Sequence, residues 1–159
     1  MAKMMVGREV SFKVEKSEAK PKETVVSIKN ISVKNNKKVL GLKNFSLDIK
    51  AGEIVGIAGV EGNGQTELVE ALTGMRQVES GIIEFKNHEI KPEDSPLTRR
   101  QAGLGHIPED RHKRGLILDY TMEDNMVLKA YKKAPFSKFG LINRAKIREY
   151  ANKIIETFD

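Results

Sequence analysis

A glycine-rich segment in the first half of the chain has the residue types that bind phosphate groups. Residues 59–66 read GVEGNGQT and match the phosphate-loop pattern G-x-x-x-x-G-K-[ST] at Gly59, Gly64 and Thr66. Glycines let successive backbone N–H groups turn toward phosphate oxygens, and the N-terminus of a following helix adds about half a positive charge. The threonine hydroxyl would bind Mg²⁺. The segment predicts a nucleotide-binding loop, and a glycine-rich turn that binds no ligand is the alternative.

The same segment departs from the pattern in its charge. Gln65 stands where the pattern has lysine, and Glu61 adds a negative charge within the loop. The loss of a charge-assisted hydrogen bond costs about 1.5–3 kcal/mol, which is roughly ten- to a hundredfold in affinity. We therefore expect weaker binding of a triphosphate than the full pattern would provide.

The elements on either side of the loop are of the kind that position it. Residues 54–58 (IVGIA) form an apolar run without alternation, which is typical of a strand buried on both faces of a parallel sheet. A helix is predicted over residues 64–73, with Gly74 at its C-terminal cap. Alternating apolar residues near Val26 and Phe45 predict two half-buried strands. The fold class is therefore α/β.

Further elements are predicted along the rest of the chain. Strands are expected at residues 81–86 and 104–107, and a loop with a short helix at 92–101. Thr121 begins a capping-box pattern that opens a helix to about Lys132. Asn143 can cap a last helix, in which apolar residues share one face: Ile147, Tyr150, Ala151, Ile154 and Phe158. That face runs to the last residue, which suggests that the natural protein continues.

The composition excludes several classes of site. The chain has 28 Lys and Arg against 22 Asp and Glu, a net charge of +6, and no Cys, so disulfides, thiol nucleophiles and cysteine metal sites are excluded. The lysines are dispersed among glutamates, which favours a solvated surface over a nucleic-acid partner. The apolar run at residues 54–60 is far shorter than the roughly 18 residues that span a bilayer. We expect no direct membrane insertion.

Three segments resemble one family across nearly the whole chain. GEIVGIAGVEGNGQTELVEALTG resembles the phosphate-loop region of ABC transporter ATP-binding subunits, and in particular the second ATPase half of the fused two-ATPase subunits of simple-sugar and nucleoside importers. GHIPEDRHKRGLILDYTMEDNMVL resembles the segment around the Q-loop of that half. MMVGREV resembles the end of the first half.

The resemblance implies a domain organisation and a fold. Residues 1–24 would be the tail of a preceding domain and a linker, which fits the irregular pattern and Pro21 in residues 11–24. Residues 25–159 would be the N-terminal part of a nucleotide-binding domain of the P-loop NTPase fold. This part would contain an antiparallel β subdomain and a truncated RecA-like core.

The resemblance also implies the residues that bind ATP and Mg²⁺. Glu109 falls at the position of the Q-loop glutamine and, with Thr66, would lie near Mg²⁺. Residues 33–44 contain no aromatic residue that could stack on adenine. The implied nucleotide-binding residues are Gly59, Glu61, Gly62, Asn63, Gly64, Gln65, Thr66, Glu67 and Glu109.

Other family motifs are missing from the sequence. It contains no Leu-Ser-Gly-Gly signature, no apolar strand ending in adjacent Asp-Glu and no later switch histidine. No catalytic residue is therefore assigned, and we expect no ATPase activity from this chain alone.

The implied function is that of an ATP-binding component of a sugar or nucleoside importer with a degenerate nucleotide site. Its implied partners are a second ATPase domain of the same full-length chain and transmembrane permease subunits at the cytoplasmic face of the membrane. Residues 123–133 and 143–158 lie where family members contact the membrane subunit. The alternative is a non-catalytic interaction module that has lost nucleotide binding. The sequence does not identify the transported solute.

Three other parts of the sequence are weaker candidates for a site. Residues 116–119 (LILD) resemble a strand ending in a metal-binding aspartate but lack a following glutamate. The histidines share no metal-ligand spacing: His88, His106 and His112. A basic segment could be a solvated turn or could contact nucleotide or a neighbouring subunit: Arg111, Lys113 and Arg114.

Overall fold

The computed structural model describes residues 18–158, which form two compact units, residues 18–105 and residues 106–158. The predicted tail and most of the predicted linker, residues 1–17, lie outside the described residues. None of the helices in the described part of the chain is long and apolar enough to cross a bilayer.

The first unit is built on an antiparallel sheet. Its strands are β1 (Thr24–Lys34), β2 (Leu40–Lys50), β3 (Ser80–Phe85) and β4 (His88–Glu89), in the order β2-β1-β3-β4. Ile28 of the central strand β1 lies opposite Leu47 on one side and Ile83 on the other. The predicted antiparallel β subdomain is confirmed, together with the strands around Val26, Phe45 and residues 81–86.

Helix α1 (Gln65–Thr73) packs on this sheet and closes the core of the first unit. Leu68 and Ala71 face the strands, as the helical spacing of the segment requires. Gly74 ends the helix in a left-handed conformation, as predicted. The buried residues of this core are Ile28, Ile31, Val33, Leu42, Leu68, Ala71 and Ile83.

Two predicted strands do not form: the strand of a parallel sheet at residues 54–58 and the short strand at residues 104–107. Residues 53–60 and 104–108 have no strand conformation, and Ile54 and Ile107 are each 94% exposed. A parallel strand satisfies its backbone N–H and C=O groups only when a neighbouring strand lies beside it. Within residues 18–158, no strand pairs with either segment. The expectation of a buried strand at residues 54–58 was therefore wrong for this structure.

Helix α2 (Pro96–Gln101) completes the first unit and corresponds to the short helix predicted in residues 92–101. Ser95 caps it, since the Ser95 hydroxyl accepts a hydrogen bond from the Thr98 N–H at 3.2 Å. Pro96 occupies the first helical position, where its missing N–H costs nothing.

The second unit contains a π-helical turn (Arg111–Gly115), helix α3 (Met122–Val127), a hairpin of β5 (Ser137–Lys138) and β6 (Leu141–Ile142), and helix α4 (Arg144–Phe158). Thr121 caps α3 as predicted, because its hydroxyl accepts from the Asp124 N–H at 3.2 Å. The helix ends earlier than the expected Lys132. A tight turn follows, in which the Ala130 N–H donates to the Val127 carbonyl.

The apolar face predicted for the last helix is buried only in part. Ile147 and Ala151 are buried, and Ile147 packs with Val127 and Phe136. Phe158 is 82% exposed, so the expected burial does not reach the end of the helix. Asn143 caps α4 as predicted, since its side-chain oxygen accepts from the Lys146 N–H at 3.1 Å.

Candidate functional site

The phosphate loop runs from the irregular segment before it into the first turn of α1. Its chain reverses at residues 60–63, where the Asn63 N–H donates to the Val60 carbonyl at 3.3 Å. Gly62 and Gly64 have φ angles of +90° and +100°, a backbone conformation that side chains rarely adopt. The glycines of the motif therefore shape the loop as the sequence predicted.

Gly64 anchors the end of the loop on the sheet. A Cβ added at this position would lie 2.8 Å from the Gly41 carbonyl oxygen and 3.0 Å from Cδ1 of Leu42. Only glycine lets the backbone approach strand β2 this closely. The antiparallel sheet therefore sets where the helix, and with it the loop, begins.

The N-terminus of α1 is suited to an anion. Gly64 is the residue before the helix, and no side chain of residues 18–158 caps the N–H groups of the first turn. Such uncapped N–H groups carry the positive end of the helix dipole and need an acceptor. The loop therefore fits a phosphate group, which would satisfy these donors.

Gln65 turns back across the loop instead of extending from it. Its side-chain amide donates to the Val60 carbonyl at 3.3 Å, and the same amide lies against Gly59, where an added Cβ would collide with it. The side chain at the usual lysine position therefore bonds to the loop itself.

The remaining predicted residues of the loop differ in their surroundings. Glu61, Asn63 and Thr66 are exposed. Glu67 lies over Gly41, where an added Cβ would be 3.1 Å from its carboxyl carbon. Thr66 is in the first turn of α1.

The loop and its helix lack positive side chains altogether. Between Lys50 and Arg76 the sequence has no Lys or Arg but has four acidic residues: Glu53, Glu61, Glu67 and Glu70. Among the residues that the structure describes, only Glu70 of these four has a compensating ion pair, with Arg76 at 2.6 Å. Any attraction of this segment for a polyphosphate would therefore have to come from backbone N–H groups, the helix dipole and an accompanying cation.

Glu109 lies in the second unit, at an exposed bend before the π-helical turn. The next residue, Asp110, accepts hydrogen bonds from the N–H groups of Lys113 and His112, both at 2.9 Å. The Lys113 bond above all holds the pKa of the Asp110 carboxyl below its usual range. The other eight predicted site residues are on one continuous segment of the first unit.

The structure also bears on the weaker candidates. No three His, Asp or Glu side chains among residues 18–158 gather to hold a metal ion. A Mg²⁺ ion at Thr66 would therefore take most of its ligands from nucleotide phosphates and water, as Mg²⁺ commonly does. Residues 116–119 form no strand, and the basic residues Arg111, Lys113 and Arg114 lie in an exposed turn.

Sequence reasoning missed two residues that position this site. The backbone carbonyl of Gly41 on β2 lies against Gly64, and Arg99 contacts the C-terminal end of α1. No local pattern identifies either one, because the partners are more than 20 residues away along the chain.

Sequence comparisons find relatives that are named as import ATP-binding proteins. The chain is 46% identical over all 159 residues to the nucleoside import ATP-binding protein NupA of Lactococcus lactis, and covers 31% of that protein. It is 45% identical to the guanosine import ATP-binding protein NupO of Bacillus subtilis, also covering 31%. A ribose import ATP-binding protein, RbsA of Caldanaerobacter subterraneus, is 34% identical over 156 residues, 98% of this chain and 30% of RbsA. The chain thus spans about a third of the length of these curated relatives.

A comparison of structures agrees on the fold. A nucleotide-free ATP-binding cassette from an ABC transporter matches 84% of this chain and 53% of its own length, with a TM-score of 0.63 and 20% sequence identity. The family model for ABC transporters matches residues 42–159. With its phosphate loop, antiparallel sheet and this match, the chain belongs to the ABC transporter ATPase family.

Proposed function

We propose that this chain contributes a nucleotide site of reduced charge to an ABC importer for nucleosides or sugars. The observation that supports it most directly is the uncapped N-terminus of α1, which begins at Gly64 against the sheet. The importer assignment rests on the relatives, which are named for the import of nucleosides, guanosine and ribose.

In the proposed complex, ATP phosphates lie against the backbone of residues 59–66. The first-turn N–H groups of α1 donate to phosphate oxygens, and Gly62, which has open space around it, lets the chain curve around them. Bound Mg²⁺ offsets phosphate charge, with Thr66 as its protein ligand in the first unit. Asn63 and Glu67 complete the surroundings of the phosphates.

The site is proposed to be degenerate because its charge opposes a triphosphate. Gln65 supplies no ammonium group, and its amide must leave the Val60 carbonyl before it can reach a phosphate. Glu61 repels the ligand within the same loop. Phosphoryl transfer depends on positioning and on charge stabilisation, so such a site is expected to hold nucleotide weakly without turning it over.

The proposed partners follow from the relatives and the resemblance. A second ATPase domain of the full-length chain would complete the nucleotide site, and permease subunits would hold both domains at the cytoplasmic face of the membrane. Residues 25–159 would be the N-terminal part of one such domain, with residues 1–24 as the linker. Neither nucleic acid nor direct membrane insertion has a role in this proposal.

The test is calorimetric titration of the full 159-residue chain with Mg-ATP, supported by thermal unfolding. Ligand at ten times its Kd stabilises a protein by about 1.4 kcal/mol, which raises the unfolding midpoint measurably. We expect saturable binding that weakens in Thr66→Ala only when Mg²⁺ is present. An absence of binding up to millimolar Mg-ATP would contradict the proposal.

The second candidate is an interaction module that has lost nucleotide binding. The contact between the Gln65 amide and the Val60 carbonyl favours it, because the loop then satisfies one of its own acceptors without a ligand. If the chain is such a module, Mg-ATP, Mg-ADP and pyrophosphate should not change its thermal unfolding midpoint. The same titration therefore separates the two functions.

A further inference from the structure

Arg99 is a buried cation that the proposed nucleotide site does not use. It lies in α2 and is only 7% exposed. Its Nη1 donates to the Leu72 carbonyl at 3.0 Å and also to the Ala71 carbonyl, while its Nε donates to the Asp94 carbonyl at 3.1 Å. No carboxylate of residues 18–158 forms an ion pair with it. The guanidinium therefore donates its hydrogen bonds to main-chain carbonyl oxygens.

Those oxygens belong to the end of α1, where helices have unsatisfied carbonyl groups. The Glu70 carbonyl is satisfied by the N–H groups of Met75 and Arg76. The Leu72 carbonyl receives its bond from Arg99. A cation at a helix C-terminus is also favoured by the helix dipole. Arg99 thus serves as a cap supplied by a different helix.

The Arg99 side chain lies so close to position 74 that a residue larger than glycine would collide with it. A Cβ added at Gly74 would lie 2.9 Å from Nε of Arg99, in addition to the strain of a φ of +81°. Burial lowers the pKa of the Arg99 guanidinium, but a group of such high intrinsic pKa stays charged at any working pH. A buried charge of this kind is retained only while its hydrogen bonds are complete.

The two ends of α1 are mechanically linked because the helix is short. Nine residues span about 13 Å, so a helix held at residues 71–74 has little freedom where it meets the loop. We propose that Arg99 is a positioning residue for the phosphate loop: by holding the Ala71 and Leu72 carbonyls, it sets the axis along which α1 presents residues 64–66 to a nucleotide. The nucleotide part of this inference rests on the proposed function.

The test compares Arg99→Gln and Arg99→Lys with Arg100→Gln, a neighbouring change of the same charge in the same helix. In the full 159-residue chain, amide shifts of Gly62, Gly64 and Gln65 report on the loop without any ligand. We expect Arg99→Gln to change these amide shifts and to weaken Mg-ATP binding about fivefold. Arg100→Gln should leave the amide shifts unchanged and the Mg-ATP affinity within about twofold of wild type. Arg99→Lys, which keeps the charge but not the planar fork, should restore part of both effects.

The outcomes separate the two proposals. If amide shifts change only near Gly74 and Mg-ATP affinity stays unchanged, Arg99 merely stabilises the helix end and the inference is overturned. If the wild-type chain binds no Mg-ATP, the proposed function fails, while the loop shifts still decide the role of Arg99. Should Arg99→Gln not fold, Arg99→Lys decides by the same two measurements.

Discussion

At the scale of single residues, Gly62 and Gly64 form a matched pair within the loop. Both have a left-handed backbone, but an added Cβ at Gly62 meets nothing within 4 Å, whereas at Gly64 it meets the Gly41 carbonyl at 2.8 Å. Gly62→Ala should cost about 1–2 kcal/mol of unfolding free energy from backbone strain alone. Gly64→Ala should cost more, because α1 must also move away from β2.

Urea denaturation of the two variants measures this difference. Gly41→Ala is a useful addition, since its Cβ would lie 3.1 Å from the Glu67 carboxyl carbon and 3.3 Å from the Cβ of Asn35, and so would meet side-chain atoms and not backbone. Equal destabilisation by Gly62→Ala and Gly64→Ala would show that the close approach to the sheet is not important.

A second residue-scale prediction concerns the missing lysine. Gln65→Lys should tighten Mg-ATP binding roughly tenfold or more, because a charge-assisted bond replaces a neutral one. Gln77→Lys provides the control, since it adds the same charge at an exposed position outside the loop. Calorimetry at two salt concentrations measures both. Equal gains in Mg-ATP affinity in the two variants would show that the added net charge, and not a bond from residue 65, causes the tighter binding.

At the scale of elements, Thr121, which caps the N-terminus of α3, also affects the titration of the Asp124 carboxyl in the first turn of that helix. The Thr121 hydroxyl donates to the Asp124 carboxylate at 2.8 Å, and Arg144 of α4 forms an ion pair with that carboxylate. The Thr121 bond first, and then Arg144, lower the pKa of Asp124 below its usual value. A carboxyl whose pKa is lowered by folding stabilises the fold above its unfolded pKa. That contribution is lost as the pH falls through the lowered folded pKa, in the range below about pH 4.

We therefore predict that Thr121→Val raises the pKa of Asp124 toward the ordinary aspartate value and frays α3. Carbon-detected NMR titration of the Asp124 carboxyl gives the pKa, and amide exchange at Asp124 and Asn125 gives the fraying. Thr157→Val is the matched control, since its hydroxyl donates to the Lys153 carbonyl within α4. An unchanged Asp124 pKa in Thr121→Val would show that the Thr121 hydroxyl is not the main cause of the lowered pKa.

At the scale of the whole molecule, the prediction is that the 159-residue polypeptide does not turn over ATP. The sequence has no adjacent Asp-Glu pair at the end of an apolar strand and no lysine in its phosphate loop. Without a base and a full set of positive charges, little remains to stabilise the transferring phosphoryl group. Phosphate release should equal that of Thr66→Ala at every Mg²⁺ concentration. Magnesium-dependent release above that background would refute the prediction.

The distribution of apolar surface is also a property of the whole molecule. Residues 54–58 were expected inside a parallel sheet, but they lie exposed without a neighbouring strand in the described part of the chain. Their apolar composition is typical of a buried segment. Composition alone does not state which partner strand provides it, and parallel pairing always requires one that is distant in sequence.

The sequence by itself determined the features that depend on neighbouring residues. The turn at Gly62, the left-handed cap at Gly74 and the hydroxyl cap at Thr121 were all predictable, because φ preferences and capping bonds act within about four residues. The alternation in β1 and β2 predicted their half-buried strands for the same reason.

The tertiary structure alone decided the packing of the loop and its helix. The approach of Gly64 to Gly41, the bonds from Arg99 to the end of α1 and the turn of the Gln65 amide onto Val60 all depend on the folded arrangement. Each is a choice among several partners that sequence patterns leave open. Close packing and the need to satisfy every buried polar group select one of them only when the chain has folded.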